Sequence, residues 1–243
     1  MINLLAKINI SNENDYAKAI SSSLKLGQKK IFFYLNSHIL YEAKKDKELI
    51  NIIQNCDFLI ADGYSIVWVS KKILKKEIQK VVFTYSYFKF IRNYLIKNNT
   101  PIFFLGATKK NIAKAFQNEK EIFTNLNITG YHHGYFDKKL ETENIITSIN
   151  NSNAQVLIVG MGCPISEKWI IQNKMKLKPD LIFSVGGFFD FLAKDKIVAP
   201  KWMYNSGLEW LFRLLQEPQR LWKRYLFANS NLLYFFFKKI FFE

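Results

Sequence analysis

The feature that most constrains this chain is a regular alternation of six short, β-rich apolar runs with longer segments of helical length. The runs cover residues 30–35, 58–61, 102–105, 127–131, 155–159 and 181–185. Each is too short for a helix, and all but residues 127–131 are rich in Ile, Leu, Val and Phe, the composition of a strand. Between them, residues 41–54, 86–97, 109–121, 142–150 and 164–176 have helical length and mixed polarity. A βαβα order requires crossover helices, so the sheet is mainly parallel and its faces are covered by helices. The expectation is a Rossmann-like α/β core spanning residues 1–198, with no internal repeat, low-complexity linker or proline-rich boundary before about residue 195.

Composition changes near Ala199-Pro200. From residue 201 onward, 43 positions hold 13 of the 39 aromatic residues and three of the five Trp. Ser206 followed by Glu209 reads as a capping box, and Leu208, Leu211, Phe212 and Leu215 recur at helical spacing behind it. Pro218 fits the first turn of a second helix. Residues 225–237 are apolar and aromatic between Lys223-Arg224 and Lys238-Lys239, shorter than the roughly 18 apolar residues of a membrane span. Rings flanked by cations suit the headgroup boundary of an anionic membrane. The same amphipathic pattern also fits a helix docked on the body or on another subunit. Residues 199–243 are therefore expected to form a helical, membrane-binding appendage.

The formal charge of +15 calls for an anionic partner: phospholipid, a phosphorylated substrate or nucleic acid. Lys supplies 31 of the 35 basic residues and is the chain's default cation, whereas three of the four Arg, Arg213, Arg220 and Arg224, fall in the appendage. A guanidinium fork binds phosphate through two hydrogen bonds at once. Nucleic-acid binding is the competing class. It is disfavoured because the aromatics crowd into one hydrophobic tail instead of alternating with cations along a platform. Cys56 and Cys163 are far apart, which indicates neither a disulfide framework nor a zinc site and fits a reducing cytoplasm. The N-terminal residues lack a signal-peptide pattern. The body is expected to be cytoplasmic.

In a parallel sheet, ligands bind beyond the carboxyl ends of the strands. Asp62-Gly63 follows the second run; the carboxylate can serve as a general base, or as an ordinary N-cap for a helix beginning near Tyr64. Gly106, the Gly160-Met161-Gly162-Cys163-Pro164 turn and Gly186-Gly187 each follow a run, with Asp190 close behind. Singly each is an ordinary turn; together they suggest a nucleotide. The GxG turn lacks the third glycine and the acidic residue of a dinucleotide fingerprint. His132-His133 closes the fourth run, and on an extended segment adjacent side chains diverge, so no His-pair metal site is expected.

Taken together, Ala61-Asp62-Gly63, Phe104-Leu105-Gly106, His132-His133-Gly134-Tyr135-Phe136, Gly160-Met161-Gly162-Cys163-Pro164 with Glu167-Lys168-Trp169, Gly186-Gly187-Phe188-Phe189-Asp190-Phe191 and Ala199-Pro200-Lys201-Trp202 resemble the WecG/TagA/CpsF glycosyltransferase family. The most specific stretch runs from Gly207 through Glu209-Trp210-Leu211-Phe212-Arg213 to Gln216-Glu217-Pro218. The resemblance implies an inverting, metal-independent transfer, without a cofactor, from a UDP-sugar to a polyprenyl-diphosphate-linked sugar. The donor sugar would be of N-acetylmannosamine type, its uronic acid, or glucose. Transfer would take place on the inner face of the cell membrane, in cell-surface polysaccharide synthesis. It implies Asp62 as the base. Asn36, Gly106, Tyr135, Gly160, Gly162, Glu167, Gly186, Gly187 and Asp190 would lie on the donor side, with Tyr135 stacking on uracil and Asp190 accepting its imide N–H. Arg213, Arg220 and Arg224 would bind diphosphate. Homo-oligomerisation is left open.

Three departures from the family pattern stand out. Tyr34-Leu35-Asn36 replaces Thr-x-Asn, Pro164-Ile165-Ser166-Glu167 replaces Pro-Lys-Gln-Glu, and Thr84-Tyr85-Ser86-Tyr87 replaces Thr-Gly-x-Asp. They leave room for an inactive member serving as a scaffold.

Overall fold

The structure is a computed structural model that describes residues 1–75, 77–78 and 84–241; at 84–87, 89–90 and 204–205 it describes the backbone only. The side chains of the Thr84-Tyr85-Ser86-Tyr87 departure therefore lie outside the described set. In chain order the elements are α1 (Ile2–Ala6), α2 (Glu13–Leu26), β1 (Lys30–Leu35), α3 (Ser37–Lys45), α4 (Lys47–Gln54), β2 (Phe58–Ala61), α5 (Tyr64–Leu74), α6 (Thr84–Lys97), β3 (Ile102–Gly106), α7 (Lys109–Ile122), β4 (Ile128–His132), α8 (Thr142–Asn151), β5 (Val156–Gly160), α9 (Ile165–Asn173), β6 (Leu181–Ser184), α10 (Phe188–Leu192), α11 (Lys201–Asn205), α12 (Glu209–Gln216) and α13 (Pro218–Phe241).

Among the described residues, six strands pair in parallel, in the order β2-β1-β6-β5-β3-β4. This is the expected Rossmann-like sheet. The inner strands β3 and β5 are buried along their whole length, which is why they read as unbroken apolar runs. Register decides what meets at the carboxyl edge. Leu35 pairs with Ala61, so Asn36 and Asp62 leave the sheet side by side. Gly106 pairs with Gly160. A Cβ at Gly106 would stand 2.4 Å from the Gly160 carbonyl oxygen, and one at Gly160 would stand 2.8 Å from that of Gly186. These two glycines let three strand ends close on one another.

The elements depart from the expected ones in a few places. The single helix expected over 41–54 is two, α3 and α4. Asp46 between them is extended and caps α4 through Leu49 N–H, while Lys168 of α9 grips it at 2.7 Å. The helix α2 was not anticipated, although Asn12 caps it through Asp15 N–H and Gly27 ends it in a left-handed conformation. Ser206 is not the cap of α12: its hydroxyl donates back to the Trp202 carbonyl at 2.9 Å and closes α11, and Leu208 precedes α12 with no side-chain cap. The lone body arginine, Arg92, is structural, pairing with Glu119 at 3.1 Å while both are buried.

The C-terminal helices fold back on the core. Leu221, Ala228, Leu232 and Phe236 of α13 are buried on one stripe that packs along α3 and α5, with Phe236 against Trp68 at 4.4 Å between ring centroids. On other faces of α13, Trp222, Leu226, Phe227, Tyr234, Phe237 and Phe241 are exposed. Among the described residues no helix is long and apolar enough to cross a membrane.

Candidate active site

The carboxyl ends of β1 and β2 form the floor of a cavity of about 450 Å³, roofed by α12 and α13. Asn36 and Asp62 are fixed there by backbone geometry. Asp62 N–H continues the ladder to the Leu35 carbonyl at 2.8 Å. The Asn36 side chain works twice, its oxygen capping α3 through Ile39 N–H at 3.0 Å and its amide donating to the Asp62 carboxylate at 3.2 Å. Gly63, at φ +88°, makes the turn into α5, whose start has no side-chain cap. Asp62 is thus not serving as an N-cap, and its carboxyl lines the cavity.

The electrostatics of the cavity are set by the appendage. Burial raises the Asp62 carboxyl above its ordinary value, and the Asn36 hydrogen bond, Arg213 and Arg224 pull it back in part. Arg213 and Arg224 both line the cavity. Arg224 is partly buried, and burial lowers its affinity for the proton, helped by the neighbouring charges of Arg213 and Arg220. Its Nε is buried without a hydrogen-bond acceptor among the described residues. A desolvated guanidinium of this kind favours an anionic ligand. Arg220 does not line the cavity; it pairs with Glu217 at the protein surface.

Several cavity residues were not singled out from sequence. His38 lines the wall, and its pKa is lowered to about 4 by burial and by Arg224, Lys45 and Arg220, so it is a neutral imidazole near pH 7. Its place two residues after Asn36 was the available signal. Tyr64, Trp68, Trp210 and Tyr225 add aromatic surface, with Trp210 edge-on to Tyr225 at 6.1 Å. Gly207, at φ +78°, runs so close that a Cβ there would sit 3.0 Å from the Tyr64 ring. The appendage therefore presses directly on the start of α5.

The other expected residues lie farther along the same edge, which from β2 to β4 spans five strand intervals, roughly 24 Å. Gly162 and Gly186 take positive φ with open space where a Cβ would be, as a turn approached by a ligand requires. Gly187 sits beside Asp190. Asp190 accepts from the Asn111 amide at 3.0 Å and from Lys196 at 2.6 Å. Glu167 is buried beneath the turn, accepting from the Ser184 hydroxyl at 2.7 Å, and burial raises its carboxyl. Tyr135 is 78% exposed at the β4 end. His132 and His133 do not diverge as expected: the strand ends at His132 and their rings stack at 4.4 Å.

The departures acquire physical accounts. The Tyr34 hydroxyl lies 2.9 Å from that of Tyr16 in the interior, on the α2 side. Ser166 is fully buried and accepts from Met161 N–H at 2.9 Å, stapling the glycine turn.

The family model described as glycosyl transferase WecG/TagA/CpsF matches residues 2–243. A protein of Bacillus subtilis (strain 168) is 28% identical over 219 residues, covering 90% of this chain and 82% of the relative. One from Bacillus spizizenii is 29% identical over 191 residues, covering 79% of this chain and 72% of the relative. Both relatives carry the name N-acetylglucosaminyldiphosphoundecaprenol N-acetyl-beta-D-mannosaminyltransferase.

Proposed function

The chain belongs to the WecG/TagA/CpsF glycosyl transferase family, and from that premise we propose that it transfers an N-acetylmannosamine-type sugar from UDP to N-acetylglucosamine on a polyprenyl diphosphate. The names of its relatives support this acceptor. The observation that carries the reading is one cavity holding a raised carboxyl, Asp62, opposite two guanidinium groups, Arg213 and Arg224.

In this mechanism Asp62 takes the proton of the acceptor hydroxyl as its oxygen attacks the anomeric carbon. The bond to the UDP oxygen breaks with its electron pair, and the configuration inverts. Asn36 holds the carboxylate in place. Arg213 and Arg224 supply positive charge for the acceptor's diphosphate, and in this reading no metal ion takes part. The donor lies along the β6–β5–β3 edge, over the Gly162 and Gly186 turns, with its uracil near Tyr135 and Asp190.

The exposed aromatic face of α13, ending at Lys238-Lys239, rests on the anionic inner face of the membrane, where the lipid acceptor resides. The test is transfer of labelled sugar from UDP-N-acetylmannosamine to a synthetic polyprenyl-diphosphate N-acetylglucosamine in anionic vesicles. A glycosylated lipid is expected; no transfer from any UDP-sugar would overturn the reading.

A further inference from the structure

The join between core and appendage carries a cluster of polar contacts, one of which ends on the donor-side Asp190. Lys196, 15% exposed, places its ammonium 2.6 Å from Asp190 and 3.0 Å from Glu217, the residue between α12 and α13. Next to it, Gln216 grips the backbone of Ile197 from both sides. Its oxygen accepts from Ile197 N–H at 2.9 Å, and its amide donates to the Ile197 carbonyl at 3.0 Å. Glu217 also holds Arg220.

These contacts join others on α12, among them Arg213 over the Phe191 ring at 5.3 Å and Trp210 edge-on to Tyr225 at 6.1 Å. None of its residues is buried, whereas α13 is anchored by Leu221 in its first turn and by Ala228, Leu232 and Phe236 beyond. Arg213 lies on α12, and Arg224 lies in the second turn of α13, close to the joint at Glu217.

We propose that Lys196, Gln216 and Glu217 form a latch that fixes α12 and the start of α13 on the core, and so positions Arg213 and Arg224 above Asp62. They are positioning residues: they touch the arginine-bearing segment, not the substrate. In its kinetic consequence the proposal rests on the function proposed above; in its structural consequence it does not.

The experiment compares the full-length protein with Gln216→Ala and Glu217→Gln by amide hydrogen exchange and by steady-state kinetics. In both variants, exchange in residues 209–225 accelerates about tenfold while residues 228–236 and the sheet stay protected. In Gln216→Ala, which leaves every proposed substrate contact in place, KM for the lipid acceptor rises about tenfold while kcat and the UDP-sugar KM stay within about twofold. Unchanged exchange at 209–225 in both variants overturns the latch, as does a rise of donor and acceptor KM in equal measure. If the parent protein transfers no sugar, the proposed function fails, and the exchange result still decides the latch.

Discussion

Asp62→Asn is the sharpest perturbation, because the structure separates its catalytic effect from its structural one. The replacement is nearly isosteric, and an amide oxygen can still accept the Asn36 hydrogen bond seen at 3.2 Å. What is lost is the ability to take a proton. General-base catalysis contributes about 10²–10⁴ in rate, or about 3–5 kcal/mol of barrier, so turnover should fall by that factor. Stability should move the other way. Burial is the largest influence on this carboxyl and raises it, with Asn36, Arg213 and Arg224 opposing. A group raised in the folded state stabilises the fold while protonated and loses that contribution as pH rises through its folded value. At pH 7 to 8 a neutral amide should therefore melt no lower than the parent. The assays are labelled-sugar transfer against pH and thermal melting. In the parent, kcat/KM should rise with pH on a limb whose apparent pKa lies above the ~3.9 of a free aspartate, and that limb should vanish in the variant. Transfer within about tenfold of the parent, or an unaltered acid limb, would refute the assignment of Asp62 as base.

Further outcomes follow from the same geometry. Arg224→Met should lower kcat/KM for the lipid acceptor by about 10–100-fold without loss of fold; because Arg224 is among the charges that depress His38, the His38 ring should then titrate higher by NMR. His38 itself, held at about 4 against an ordinary 6.5, contributes stability that is present above pH 6.5 and lost as pH falls through 4. The melting temperature should drop across that window, and His38→Gln should flatten the slope. Leu232→Ala, at a 3% exposed position on the docking stripe, should cost about 2–5 kcal/mol in denaturant unfolding. Leu226→Ala, 55% exposed on the same helix, should stay within about 0.5 kcal/mol.

Most of the sheet was legible because its inner parallel strands are buried on both faces, and an unbroken apolar run states that burial directly; the edge strand β4 is only partly buried. Helix ends were less so. The break between α3 and α4 depends on Asp46, whose capping and Lys168 contact join segments more than a hundred residues apart. In the site, Asp62 could be found because topology puts ligands at strand ends and Asn36 through the family resemblance, and the register of β1 on β2 then made them neighbours. Gly106 and Gly160 were legible as turn residues, but their role in close packing of the strand ends was not. Arg220 and Arg224 show the limit most clearly. Four residues apart on one helix, they are equivalent in sequence. Their difference comes from Glu217, which holds one at the surface, and from packing against α3, which turns the other into the cavity. Local composition determined that this chain would build a parallel sheet with a basic aromatic tail. Only the tertiary structure decided that the tail closes over Asp62, because desolvation and charge pairing depend on which distant groups are brought within a few ångströms.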